Sequence, residues 1–170
     1  MYIEHSDFCL RSITSNDAEA YYQIYSHPEV ARYDDFKPIS REDLAVDMAR
    51  IALYTTASAY RELAVATTAD NKMIGVLTID KKKHYVYLGY HFHPDYQRKG
   101  YAFRSVSALL ECFSPQERHV LRLVSHPDNR ASIALARKLG FVFVARRYQK
   151  GVREEVFRFD AEQWASREAQ

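Results

Sequence analysis

Three β-forming runs follow one another in the middle of the chain with almost nothing between them. They are YRELAVATTA (residues 60–69), KMIGVLTID (72–80) and HYVYLGYHF (84–92). Short runs rich in Val, Ile, Leu and Tyr predict strands. The connections, around Asp70-Asn71-Lys72 and Lys81-Lys82-Lys83, are too short for the crossover of a dozen or more residues that parallel neighbours require. The three runs are therefore expected to pair as antiparallel hairpins. An antiparallel sheet stands at the centre of the chain, and every other element has to be arranged around it. Pro94, with no N–H to give a ladder, ends the third run.

On either side the hydrophobic period turns helical. YIEHSDFCLRSI (2–13) predicts a first strand. Thr14 or Ser15 can cap a helix to about Tyr25, with Asp17 and Glu19 in its first turn. Residues 26–40 hold two prolines and scattered aromatics and predict a loop. Ser40-Arg41-Glu42-Asp43 is an acidic variant of a capping box and opens a helix to about Tyr54, with Leu44, Met48, Ile51 and Leu53 on its apolar side. After Gly100, Ala102, Val106, Leu109, Leu110 and Phe113 share one helical face. HVLRLVS (119–125) predicts a strand. Residues 128–140 predict a helix that opens at Asp128 or Asn129 and closes at Gly140. FVFVARRY and REEVFRF predict a closing hairpin around QKG. This order predicts an α/β (α+β) fold on a mixed, mostly antiparallel sheet flanked by helices.

The 170 residues, 47% hydrophobic and 27% charged, suit one domain over 1–170. Lys and Arg number 24 against 22 Asp and Glu, a balance that argues against a nucleic-acid partner. Any bound anion is expected to be small and locally held. Cys9 and Cys112 make no disulfide framework, which points to a reducing compartment. No run approaches the roughly 20 apolar residues of a membrane span, and the start of the chain lacks signal-peptide regions. A cytoplasmic location without a membrane partner is the expectation.

One loop carries chemistry. Tyr96-Gln97-Arg98-Lys99-Gly100-Tyr101-Ala102 joins the third middle strand to a helix. A helix N-terminus exposes up to four unpaired N–H groups and about half a positive charge. Gly100 lets backbone approach a ligand closely, and Arg98 and Lys99 add positive charge for phosphate oxygens. The string reads as a diphosphate cradle or, taken alone, as a solvated turn. One helix and one strand later come Asp128-Asn129-Arg130-Ala131-Ser132 and then Lys138-Leu139-Gly140-Phe141.

This ordered set resembles the GNAT superfamily of acetyl-CoA-dependent N-acetyltransferases, and within it the branch that includes the Rim-type acetylases of ribosomal-protein N-termini. Gly89-Tyr90-His91-Phe92-His93-Pro94 leads to Gln97-x-x-Gly100-x-Ala102, as the branch pattern requires. Asp128, Asn129, Ser132 and Lys138 to Phe141 match its later motif, and His27-Pro28-Glu29-Val30 with Tyr33 an early one. The likeness covers nearly the whole chain. It implies an acyl-CoA N-acyltransferase-like sheet, splayed beside the third middle strand. The pantetheine arm of acetyl-CoA, the co-substrate, would lie in that gap beside His91, Phe92 and His93. The backbone of Arg98, Lys99, Gly100, Tyr101 and Ala102 would take the diphosphate.

Acetyl transfer needs a deprotonated amine, donors for the thioester oxygen and a proton for the leaving thiolate. The N–H of Phe92 is a candidate oxyanion donor. The tyrosine that many superfamily members use as acid falls at Ala136. In the Rim-like branch the candidate is the serine three residues after the Asn, here Ser132, which can equally bond its own helix turn. Asn129 can orient that turn and hold the pantetheine amide, or act as a plain cap. The glutamate that relatives carry falls at Tyr87, and a phenol of pKa about 10 is a poor base. Tyr87 and His91 remain candidates and the base stays unassigned. His91 and His93 sit two apart on a strand, with no well-spaced third ligand, so no metal is expected. Tyr33 and Asp34, in the loop 26–40, are expected to shape the acceptor site. Glu155 can line its mouth or pair with Arg153 or Arg158.

The resemblance thus implies direct attack of a primary amine on acetyl-CoA. The partner would be an amine-bearing small molecule or a protein N-terminus, and the chain a monomer or homodimer. The missing glutamate and tyrosine also fit an alternative, a GNAT-fold CoA-binding or interaction module without turnover.

Overall fold

The computed structural model describes residues 2–168. Eight strands form one sheet, in the order β1-β2-β3-β4-β5-β6-β8-β7. They are β1 (Ile3–Glu4), β2 (Phe8–Ser12), β3 (Tyr60–Thr67), β4 (Met73–Lys81), β5 (Val86–Phe92), β6 (Leu121–Ser125), β7 (Phe141–Gln149) and β8 (Val152–Phe159). The helices are α1 (Ala18–Tyr25), α2 (Pro28–Ala31), α3 (Arg41–Ile51), α4 (Tyr101–Glu111), α5 (Pro115–Arg118), α6 (Arg130–Lys138) and α7 (Ala161–Glu168). The central hairpins β3–β4–β5 pair antiparallel as expected.

Several boundaries differ from the sequence expectation. The first strand is two, because polar His5-Ser6-Asp7 turns the chain back and the His5 N–H donates to the Phe8 carbonyl at 2.8 Å. The loop 26–40 contains α2, where Pro28 sits in the first turn and the His27 ring accepts the Glu29 N–H. Helix α3 stops at Ile51, so Leu53 lies past its end and is 79% exposed instead of on the apolar side. Helix α7 was not anticipated; its Trp164 is buried against Phe159.

Apolar side chains fill both faces of the sheet. On one, Leu77, Leu88, Phe92, Leu123 and Phe157 pack with Val106, Leu109 and Leu110 of α4. On the other, Ala64, Met73 and Val76 pack with Tyr21, Ile24 and Tyr25 of α1 and Ile51 of α3. Each fully buried leucine contributes about 2 kcal/mol, and Leu109 and Leu110 thereby fasten α4 over β5. A bidentate pair pins the entry to α1: Arg11 reaches both oxygens of Asp17 at 2.7 and 2.8 Å. Burial pushes that carboxyl up, but the guanidinium and the Thr14 N–H outweigh burial and hold its pKa below the ordinary value.

One junction is unlike the rest. Strands β5 and β6, joined through α4, are the parallel pair, and they stay in register only over Val86↔Leu121, Tyr87↔Arg122 and Leu88↔Leu123. Beyond that, β5 continues with β4 as far as Phe92, while β6 continues with β8 through Ser125↔Glu155. The sheet opens there.

Candidate active site

Backbone direction decides what faces the opening. The Val86 N–H points to β6, bonding the Val120 carbonyl at 3.0 Å, and the His93 N–H points back to the Ile74 carbonyl at 3.0 Å. Strand groups alternate from residue to residue. The backbone of Tyr90 and Phe92 is therefore turned into the gap, and that of His91 and His93 away from it. Of the three residues expected beside the pantetheine arm, Phe92 offers its backbone to the gap. The unexpected contributor is Tyr90. Gln97 closes the far end, its side-chain amide donating to the Phe92 carbonyl at 3.0 Å. The His93 ring instead caps the turn Pro94–Tyr96, accepting the Asp95 N–H.

Helix α4 begins at the mouth of the gap. Gly100 is its N-cap at φ +81°, a left-handed conformation that L side chains rarely adopt. A Cβ there would meet nothing nearer than the Arg104 Nε at 3.8 Å, so conformation and not space requires the glycine. The first helical bond runs from the Arg104 N–H to the Gly100 carbonyl at 3.1 Å. The N–H groups of Tyr101 and Ala102 precede it, with exposed Arg98 and Lys99 alongside. Such a terminus, free of any Cβ at its cap, fits a diphosphate.

Helix α6 faces β5 where the strands diverge. Asn129 caps it, Oδ1 accepting the Ser132 N–H at 3.1 Å. The Ser132 hydroxyl does not bond its own turn; it lies 2.8 Å from the Tyr90 hydroxyl. Burial pushes the Tyr90 phenol up to about 12, against a smaller opposite pull from Ser132. This phenol keeps its proton, and either hydroxyl of the pair can be the donor. Ala136, where relatives place a tyrosine, is buried.

A cleft of about 650 Å³ runs from the opening along the α1 face of the sheet, and Tyr33, Asp34, Tyr87, His91, Asn129 and Ser132 all line it. Gly89 and Thr78 also line it, and a Cβ at Gly89 would overlap the Thr78 hydroxyl. The Tyr87 hydroxyl accepts from Arg147 at 3.2 Å. Tyr33 stacks on His126 with ring centroids 5.5 Å apart. His91 is held at both nitrogens, Nδ1 to the Tyr25 hydroxyl at 3.2 Å and Nε2 to Asp34 at 3.3 Å. Glu155 does not line the cleft. It is buried opposite Ser125 and accepts from Arg146 at 3.0 Å, pairing with neither Arg153 nor Arg158. Its neighbour Glu154 lines the cleft, because alternate strand residues face opposite ways.

Sequence reasoning also passed over Glu62. It is buried, takes the hydroxyls of the cleft-lining Tyr60 at 2.9 Å and of Tyr21 at 3.3 Å, and burial raises its pKa. A lone acid inside an apolar strand was the available signal.

A sheet that opens beside its parallel pair, with a helix N-terminus at the mouth, is the architecture of acyl-CoA N-acyltransferases. The family can be stated as well: the GNAT acetyltransferase domain matches residues 7–142, and the chain belongs to that family and is an N-acetyltransferase. It is 28% identical over 148 residues to the uncharacterized N-acetyltransferase YoaA of Bacillus subtilis, covering 82% of this chain and 81% of that protein. A GNAT-family acetyltransferase from Bacillus anthracis superposes with a TM-score of 0.81 at 21% identity, over 95% of this chain and 99% of that one. The Salmonella typhimurium acetyltransferase that modifies the N-terminal serine of ribosomal protein L7/L12 gives 0.76 at 19%, over 94% and 100%. The Vibrio cholerae spermidine N-acetyltransferase, solved with CoA and spermine, gives 0.77 at 15%, over 95% and 99%. At these identities the structural likeness is one of fold.

Proposed function

We propose that this chain transfers the acetyl group of acetyl-CoA to a primary amine by direct attack on the thioester, and that a protein N-terminal α-amine is the acceptor to test first. The observation that carries this reading is the open edge of β5, where Tyr90 and Phe92 turn their backbone groups toward a gap bordered by Ser132. Acetyl-CoA would supply the thioester whose carbonyl carbon accepts the amine nitrogen. The free N–H groups of β5 bind the pantetheine amides, and that of Phe92 donates to the thioester oxygen as it gains charge. The start of α4, with Arg98 and Lys99, holds the diphosphate.

As the C–N bond forms and the C–S bond breaks, the departing sulfur needs a hydrogen-bond donor. With Tyr90 donating to the Ser132 Oγ, the serine's own hydrogen is free to point into the gap. The proton lost by the amine passes to water. The amine class is supported by the two enzymes of this fold named for an N-terminal serine and for spermidine, both primary amines.

The test is an acceptor screen with acetyl-CoA, read by thiol release and mass spectrometry. Amine-dependent release with a mass gain on the amine is expected. No release across peptides with free N-termini, polyamines and aminoglycosides would overturn the reading. CoA binding by calorimetry without any release would identify a binding module instead.

A further inference from the structure

We propose that Asp34 is the docking carboxylate for the acceptor's ammonium group, and that Tyr25 and His91 are the residues that position it. This rests on the acetyltransferase reading and names the substrate class at the same site, an amine that arrives as a cation.

The argument starts from Tyr25. Its ring is buried, and burial raises the phenol's pKa well above the ordinary value. A phenol in that state keeps its proton, and its hydrogen-bond partner is the Nδ1 of His91 at 3.2 Å. An ionised Asp34 carboxylate can only accept, so the ring hydrogen sits on Nε2, and Nδ1 of the neutral ring accepts from the phenol. Nε2 faces the Asp34 Oδ2 at 3.3 Å. The ring cannot swing away, because Tyr25 and Phe36 pack on it at centroid distances of 5.3 and 5.4 Å. In this tautomer neither ring nitrogen has a lone pair to offer an incoming amine. His91 orients a carboxylate.

Asp34 is placed for a ligand. Its N–H bonds the Ala31 carbonyl at 3.2 Å, which ties it to the end of α2. Its side chain is 40% exposed and lines the cleft. The cleft's other charges are matched. Lys82 pairs with Asp80 at 2.8 Å, Lys150 with Asp35 at 2.9 Å, and Arg147 with Glu154. Among the described residues Asp34 is the lining carboxylate that pairs with no lysine or arginine; its partner is the His91 Nε2, a hydrogen-bond donor. A cleft with three cations and four carboxylates favours a cationic guest, and the carboxylate left over is the one aimed by the Tyr25–His91 pair.

The experiment uses the whole chain loaded with CoA. Spermidine and a serine-initiated peptide amide are the cationic probes, and the same peptide with an acetylated N-terminus is the neutral control. Binding is followed by calorimetry and by the ¹⁵N signals of the His91 ring. Wild type should bind the cationic probes with movement of those signals and should ignore the control. Asp34→Asn should weaken probe binding by about tenfold or more, with CoA affinity held within about twofold. Tyr25→Phe should weaken it by about threefold and mix the two ring tautomers, a signature that a packing role would not produce. Equal probe binding by wild type and Asp34→Asn, or His91 signals unmoved by either probe, would overturn the inference. Docking that needs Asp34, with no acetyl transfer, would sustain the inference and overturn the acetyltransferase reading. Acetyl transfer indifferent to Asp34 would do the reverse.

Discussion

The Tyr90 hydroxyl lies 2.8 Å from the Ser132 Oγ and joins strand β5 to the first turn of α6 where the sheet opens. Two hydroxyls in contact share one hydrogen-bond direction. In the proposed mechanism the partly buried phenol donates to the serine oxygen, which leaves the serine's own hydrogen to face the gap.

That pairing predicts coupled effects on turnover. Ser132→Ala should lower kcat by about a hundredfold and leave the CoA dissociation constant within about twofold. Tyr90→Phe should lower kcat by about tenfold. The double variant should be no worse than Ser132→Ala alone, since residues acting as a unit are not additive. Unchanged turnover in Ser132→Ala would remove the serine from the mechanism.

Gly100 at φ +81° tests the diphosphate site. A valine there costs about 1–2 kcal/mol of backbone strain and puts a branched side chain where phosphate oxygens would approach. Calorimetry should show CoA affinity reduced by about tenfold or more, while thermal unfolding stays cooperative. Full affinity in Gly100→Val would place the diphosphate elsewhere.

Gly75 supports the end of β5 from β4. The two strands pair Gly75 with Phe92, and a Cβ at Gly75 would overlap the Phe92 ring. Gly75→Ala should therefore displace that ring and the N–H beside it. Overpacking of this kind costs about 1–3 kcal/mol, visible as a lower urea midpoint. CoA affinity should fall with it, although residue 75 is not at the gap.

The Arg11–Asp17 pair predicts acid sensitivity. The folded pKa of Asp17 lies below its ordinary value. Its stabilisation is therefore complete above the unfolded carboxylate range, near pH 4, and is lost as pH falls through the folded value. At pH 7, Asp17→Asn should cost about 2 kcal/mol. The difference from wild type should shrink as urea melts are repeated from about pH 4 down to about pH 2. A difference that persists undiminished in acid would mean that the side chain acts through packing and not charge.

The central hairpins were legible because each carries its own evidence: β-forming runs with connections too short for anything but antiparallel pairing. The capped helices α1, α3 and α6 were legible for the same local reason. Helix α7 was not, since it carries a single large apolar residue, Trp164, whose burial against Phe159 is a tertiary contact. The split of the first strand turned on three polar residues, and Leu53 was misplaced because a helix end shifts by a turn without changing the apolar spacing.

Within the site, the sequence by itself determined the loop proposed for the diphosphate. Gln97, Gly100 and Ala102 lie within a few residues of one another, and the requirement of φ > 0 before a helix is local. Asn129 and Ser132 are equally local, a cap and the N–H it accepts. What only the tertiary structure decided is every pairing between distant segments. Tyr90 meets Ser132 across 42 positions, and Tyr25 meets His91 across 66. Glu154 lines the cleft in place of Glu155 because of strand register, which no spacing within the hairpin reveals. The opening itself depends on β6 leaving β5 after Leu123 to follow β8. Local chemistry is written in neighbouring residues. Which side chains share a proton is settled by packing and hydrogen bonding among segments that the sequence keeps far apart.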